Sequence, residues 1–125
     1  MTGLLWIGAG GAVGAVLRYL VVSLAAQAGT VLPLGTLLVN VSGSTLIGLY
    51  AGYLGSSGIV ADDGRLFFQT GLLGAFTTFS AFSLDTLLLL QQGLWRVAVT
   101  SVLLNVFLCI AAVAIGFGVA GHLSR

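Results

Sequence analysis

Gly71-Leu72-Leu73-Gly74-Ala75-Phe76-Thr77-Thr78-Phe79-Ser80-Ala81-Phe82-Ser83 is the stretch that decides how this chain folds. It lies inside an apolar run of about residues 66–90, long enough to cross a hydrocarbon core that takes roughly 20 helical residues. Yet its glycines, paired threonines and serines are poor helix formers, and the hydroxyls compete for backbone hydrogen bonds. The expectation is a membrane-spanning helix broken near its middle. Irregular backbone at membrane depth survives only when buried in protein or lining a watery cavity, where freed carbonyls can hold a cation. A functional site is therefore expected in this span. Phe79 and Phe82 are three apart and share a face if helix resumes after the break. Lipid contact or packing explains such an aromatic pair as well as a pathway does.

The surrounding sequence has the same character. Of 125 residues, 58% are hydrophobic and only 6% charged, with a mean hydropathy of +1.17, whereas about a quarter of a soluble domain is charged. Apolar runs between turn signals give four spans, at about 4–26, 34–54, 66–90 and 94–120, in a single all-α transmembrane domain. Gln27, Gly29 and Pro33 punctuate the first connection, residues 55–64 with Asp62 and Asp63 the second, and residues 91–93 the third. Trp95 and Trp6 fall at span ends, where an amphipathic ring suits the headgroups. Ala26-Gln27-Ala28 resembles a leader-cleavage site, but the apolar region before it is too long and its first basic residue is Arg18, so this segment is expected to be a retained span.

The chain has no lysine and four arginines. Arg65 and Arg125 fall on the side of the N-terminus, Arg18 and Arg96 on the other. Orientation normally follows an excess of basic residues in cytoplasmic loops, and a count of two against two supplies none. Dual insertion and too few charges to matter are both consistent with it. Among the 19 glycines, Gly10 with Gly14 and Gly48 with Gly52 make small-xxx-small steps expected to mark close helix packing. Asn40 stands among Leu38, Val39 and Val41. An unpaired amide in hydrocarbon costs several kcal/mol, so it must meet a helix partner or water. In the fourth span Ser101, Asn105 and Cys109 recur every four residues on one face, forming either a polar track or a set of interhelical hydrogen bonds. Cys109 alone reads as a small buried hydrophobe. No glutamate, one histidine (His122) and no metal-ligand cluster leave little for catalysis, and no nucleic-acid partner is expected.

Three segments carry a family resemblance. Gly10-Gly11-Ala12-Val13-Gly14-Ala15-Val16-Leu17-Arg18-Tyr19, then Gly35-Thr36-Leu37-Leu38-Val39-Asn40-Val41-Ser42-Gly43, then the stretch 71–83 together resemble the Fluc (CrcB) family of fluoride ion channels. Ala81 stands where that family commonly has threonine, and Asn105 where a serine or another small residue is more usual. The resemblance implies an antiparallel, dual-topology homodimer with two pores, a multi-pass protein of the cell inner (plasma) membrane that exports fluoride by passive conduction and so reduces its toxicity. It implies that Phe79 and Phe82 line the ion path, that Asn40 donates its amide to fluoride, and that backbone carbonyls of Gly74 and Thr77 from both subunits hold a structural sodium ion at the dimer interface. Hydroxyls of Ser80, Ser83 and Ser101, with Asn105, would supply further donors. Arg18, costly at mid-membrane, is better placed beside a water-filled vestibule, where it attracts anions. Two other classes compete: a small proton-coupled multidrug-type exporter, for which Asp85 is the one membrane carboxylate, and an accessory subunit that assembles through its glycine faces.

Overall fold

The computed structural model describes residues 2–57 and 62–123. Arg125 and part of the expected 55–64 connection lie outside them. The described residues contain no strands, and their helical elements are α1 (Thr2–Ala26), α2 (Leu34–Ser57), the single turn α3 (Asp62–Arg65), a π-helical segment (Leu66–Leu73), α4 (Gly74–Phe76), α5 (Phe79–Gln91) and α6 (Trp95–Leu123). Four helical stretches are long and apolar enough to cross a membrane, at Thr2–Ala26, Leu34–Leu54, Asp63–Gln91 and Trp95–Leu123. The fourth continues past Ala120, through Gly121 and His122 to Leu123. Two connections turn on glycines with left-handed backbone, Gly29 (φ 63°) and Gly93 (φ 75°), a conformation glycine adopts without a Cβ clash.

Packing follows small residues. α2 lies most extensively along α6, and α1 along the π-helical segment and α4. A Cβ on Gly48 would run into the Val113 carbonyl, and one on Gly52 into that of Phe117. From the opposite helix, a Cβ on Gly116 would come within 2.6 Å of the Thr45 carbonyl. On the other seam Gly10 and Gly14 meet the backbone of Phe67 and Leu72 in the same manner. Close backbone approach replaces the hydrophobic drive that is missing between helices in lipid. Few of the described residues are buried: Val39, Leu73, Phe76, Phe82, Leu89, Ala98 and Ala120 form the apolar interior, while Leu4, Val16, Phe107, Ile110 and Ile115 are exposed.

Candidate functional site

The two threonines between α4 and α5 have extended backbone, Thr77 at φ −80°, ψ 157° and Thr78 at φ −152°, ψ 116°. Thr78 restarts the helix as an N-cap, its Oγ1 accepting the Ala81 N–H at 3.1 Å. Ser80 Oγ lies 3.2 Å from the same hydroxyl. Thr77 turns its hydroxyl back, donating to the Leu73 carbonyl at 3.0 Å. Its methyl fills the space over Gly43 on α2, where a Cβ would overlap it.

Asn40 secures this segment from α2. Its Oδ1 accepts the Thr78 N–H at 2.8 Å, and its Nδ2 donates to the Thr78 carbonyl at 3.1 Å and to Asn105 Oδ1 at 3.0 Å. Asn105 Nδ2 in turn donates to the Ser101 carbonyl at 3.0 Å. Every bond in this chain has a donor facing an acceptor, so the amide orientations are fixed by the network. A further consequence falls on the backbone. In an unbroken helix the carbonyls of Gly74 and Thr77 would receive the N–H groups of Thr78 and Ala81, but these bond to side-chain oxygens of Asn40 and Thr78.

An open cavity of about 470 Å³ lies against the segment. It brings together Asn40, Gly74, Thr77, Thr78, Phe79, Phe82 and Asn105, with Ser44, Gln69 and Cys109 farther along its walls. The rings of Phe79 and Phe82 stand 5.3 Å apart, tilted by 57°. Phe82 is buried, whereas Phe79 is 78% exposed. The remaining expected residues lie elsewhere. Ser80 and Ser83 are exposed on α5, with Ser83 donating to the Phe79 carbonyl at 2.9 Å. Ser101 is buried against its neighbours, and Arg18 is half-buried on α1. None of these four lines the cavity. Asp85 is also outside it and accepts a 2.6 Å hydrogen bond from Thr36 Oγ1 at the start of α2.

Gln69 and Ser44 were not singled out from the sequence, although each had a signal. Gln69 is an amide in the apolar run Leu66-Phe67-Phe68-Gln69, the same anomaly that marks Asn40, and Ser44 is one helical turn beyond Asn40.

Four apolar helices and a polar cleft at a mid-span change of backbone define a multi-pass α-helical membrane protein. Residues 5–117 match the family model of the CrcB-like protein, Camphor Resistance (CrcB). The chain is 49% identical over 114 residues to the fluoride-specific ion channel FluC of Sulfurovum sp., covering 90% of this chain and 89% of that one. It is 50% identical over 118 residues to the FluC of Shewanella frigidimarina, covering 93% and 94%. With FluC 2 of Nitrobacter hamburgensis it shares 46% over 116 residues, covering 92% and 94%. The chain belongs to the CrcB family.

Proposed function

We propose that this chain is the subunit of a fluoride-selective channel that lets fluoride leave the cytoplasm down its electrochemical gradient. The observation that carries the reading is the convergence of the Asn40–Asn105 amide pair and the Phe79–Phe82 ring pair on one cleft beside the Thr77–Thr78 segment. The naming of the relatives in Sulfurovum, Shewanella and Nitrobacter as fluoride-specific ion channels agrees with it.

Fluoride holds its water tightly, so a pore must offer donors in exchange. Asn40 and Asn105 present amide hydrogens inside a low-dielectric span, and an ion at that level competes with Asn105 Oδ1 for the Asn40 N–H. Ring edges carry partial positive charge and attract an anion without holding it fast. Several weak contacts in series permit both entry and exit. Phe79 lines the cleft yet is largely exposed, and with Ser80 and Ser83 on the same turns of α5 it suits an element that also reaches a second subunit's cleft.

The functional unit in this reading is an antiparallel homodimer in the inner membrane, in keeping with the two-against-two arginines. The Gly74 and Thr77 carbonyls, relieved of their usual N–H partners, fit a sodium ion shared between subunits, and such an ion would supply a structural clamp and a local positive charge. Arg18, half-buried towards the first-connection end of α1, would face the vestibule and attract anions. Proton-coupled export gains no support, because Asp85 is bonded to Thr36 outside the cleft.

Fluoride efflux from liposomes holding only the purified protein tests the proposal. Rapid fluoride loss that needs no pH gradient and is not matched by chloride is the expected result. Absence of flux, or flux strictly tied to a proton gradient, would overturn it.

A further inference from the structure

The pathway just described leaves two polar side chains of the cavity without a task. Gln69, on the π-helical segment, and Ser44, on α2, both line it and are half-buried. Asn40, Asn105, Thr77 and Thr78 engage their polar groups with one another or with backbone. Among the described residues, the Gln69 carboxamide and the Ser44 hydroxyl have no hydrogen-bond partner. An amide left without a partner at membrane depth costs several kcal/mol. The outer part of the cavity is thus built for water or an ion.

The positions of the two residues agree. Ser44 is four residues beyond Asn40, about 6 Å along α2, towards the connection between the second and third spans. The third span runs the opposite way, and Gln69 precedes Gly74, so it lies on that same side of the Thr77–Thr78 segment. The π register aids its placement: the Gly74 N–H bonds to the Gln69 carbonyl five residues back. An α-helix would put residues five apart on different faces, whereas the wider turn stacks them along one wall.

We propose that Gln69 and Ser44 form an outer anion site, where fluoride exchanges hydration water for the carboxamide N–H and the hydroxyl before it reaches Asn40 and the phenylalanines. The assignment rests on the fluoride-channel reading and adds a selectivity element to it. A donor from each of two helices meets the ion, while the Gln69 carbonyl end remains free to hold its leaving water. Cys109, on the α6 wall of the cavity, is a weak donor and acceptor that closes the site without fixing the ion.

The test is fluoride efflux from liposomes across a range of fluoride concentrations, with gel filtration of each purified variant. The unmodified protein comes first, and its failure to conduct would remove the channel reading itself rather than this site. Given conduction, Gln69→Leu should lower flux about tenfold at low fluoride, the equivalent of one lost hydrogen bond, and much less at saturating fluoride. Gln69→Glu, of the same size but without the donor and with negative charge, should fall further. Ser44→Ala should shift the half-saturating concentration in the same direction, and it stands as the test if the Gln69 variants do not assemble. Variants with the unmodified concentration dependence overturn the proposal, and so does a uniform loss at all concentrations, which marks a packing defect.

Discussion

Asn40 concentrates the residue-scale logic of this protein. Its carboxamide makes complementary bonds to both backbone groups of Thr78, so one side chain holds the extended turn and also faces the cavity. Asn40→Asp keeps the size and can still accept the Thr78 N–H, but it sets an acceptor against the Thr78 carbonyl and Asn105 Oδ1. Fluoride efflux should fall by about a hundredfold or more, since a repelled, buried acceptor pair costs on the order of 3 kcal/mol. Efflux at the unmodified rate from a dimeric Asn40→Asp protein would remove Asn40 from the path. The ring pair makes a separate prediction. Phe82→Ile and Phe79→Ile keep apolar bulk and lose the positive ring edge, so conduction should drop severely for both, but only the buried Phe82 change should also lower thermal stability, by roughly 1–2 kcal/mol. Melting curves beside efflux rates separate the two effects. The need of Asn40 for a partner was legible because hydrocarbon offers none. That the partner would be the backbone of Thr78, 38 residues away, was not, because a mid-span amide can be satisfied by whichever helix the packing brings alongside.

Among the elements, the glycine steps were readable, but the wall of the cavity was not. Gly10, Gly14, Gly48 and Gly52 repeat at four-residue spacing, and each faces another helix's backbone. The π-helical segment Leu66–Leu73 has no compositional trace, because its leucines and phenylalanines suit an ordinary α-helix equally well, and at Gly71 it packs closely on the α1 backbone of Ile7 and Gly10. The place of Gln69 on the cavity wall was therefore not legible, although its amide stands out in an apolar run. The seams give a contrast that can be measured. Gly48→Ala and Gly14→Ala push a methyl into carbonyls that are part of a helix and cannot move alone, so each should destabilise by about 1–3 kcal/mol. Gly118→Ala and Gly121→Ala have no atom within 4 Å of the new Cβ and should be neutral or slightly stabilising, as alanine favours helix. Thermal melts in detergent would sort the four. Equal destabilisation by all of them would show that glycine serves flexibility here and not contact.

For the molecule as a whole, hydropathy made the four helices legible, but it cannot separate a lipid-facing leucine from one that meets a second subunit. Phe79, Phe107 and Ile110 are all exposed in one copy and chemically alike. Charge is the better guide to assembly. Arg65 and Arg96 are exposed at opposite ends of the spans, Arg18 is half-buried on the Arg96 side, and Arg125 lies outside the described residues. With no lysine to tip the balance, the topology signal of the chain is close to neutral. Both orientations are then expected in one membrane, and an antiparallel pair can form from a single gene product. Two or three lysines added after Arg125 should bias that end to the cytoplasm, deplete the inverted partner and reduce fluoride efflux from cells. Co-expression with a version biased the other way, by lysines beside Arg96, should restore it, although neither version works well alone. Labelling of a C-terminal cysteine, in a background with Cys109 replaced by serine, reads the orientation directly. Labelling confined to one face of the membrane in the otherwise unmodified protein would exclude dual insertion, and full activity of both biased versions alone would exclude an antiparallel requirement.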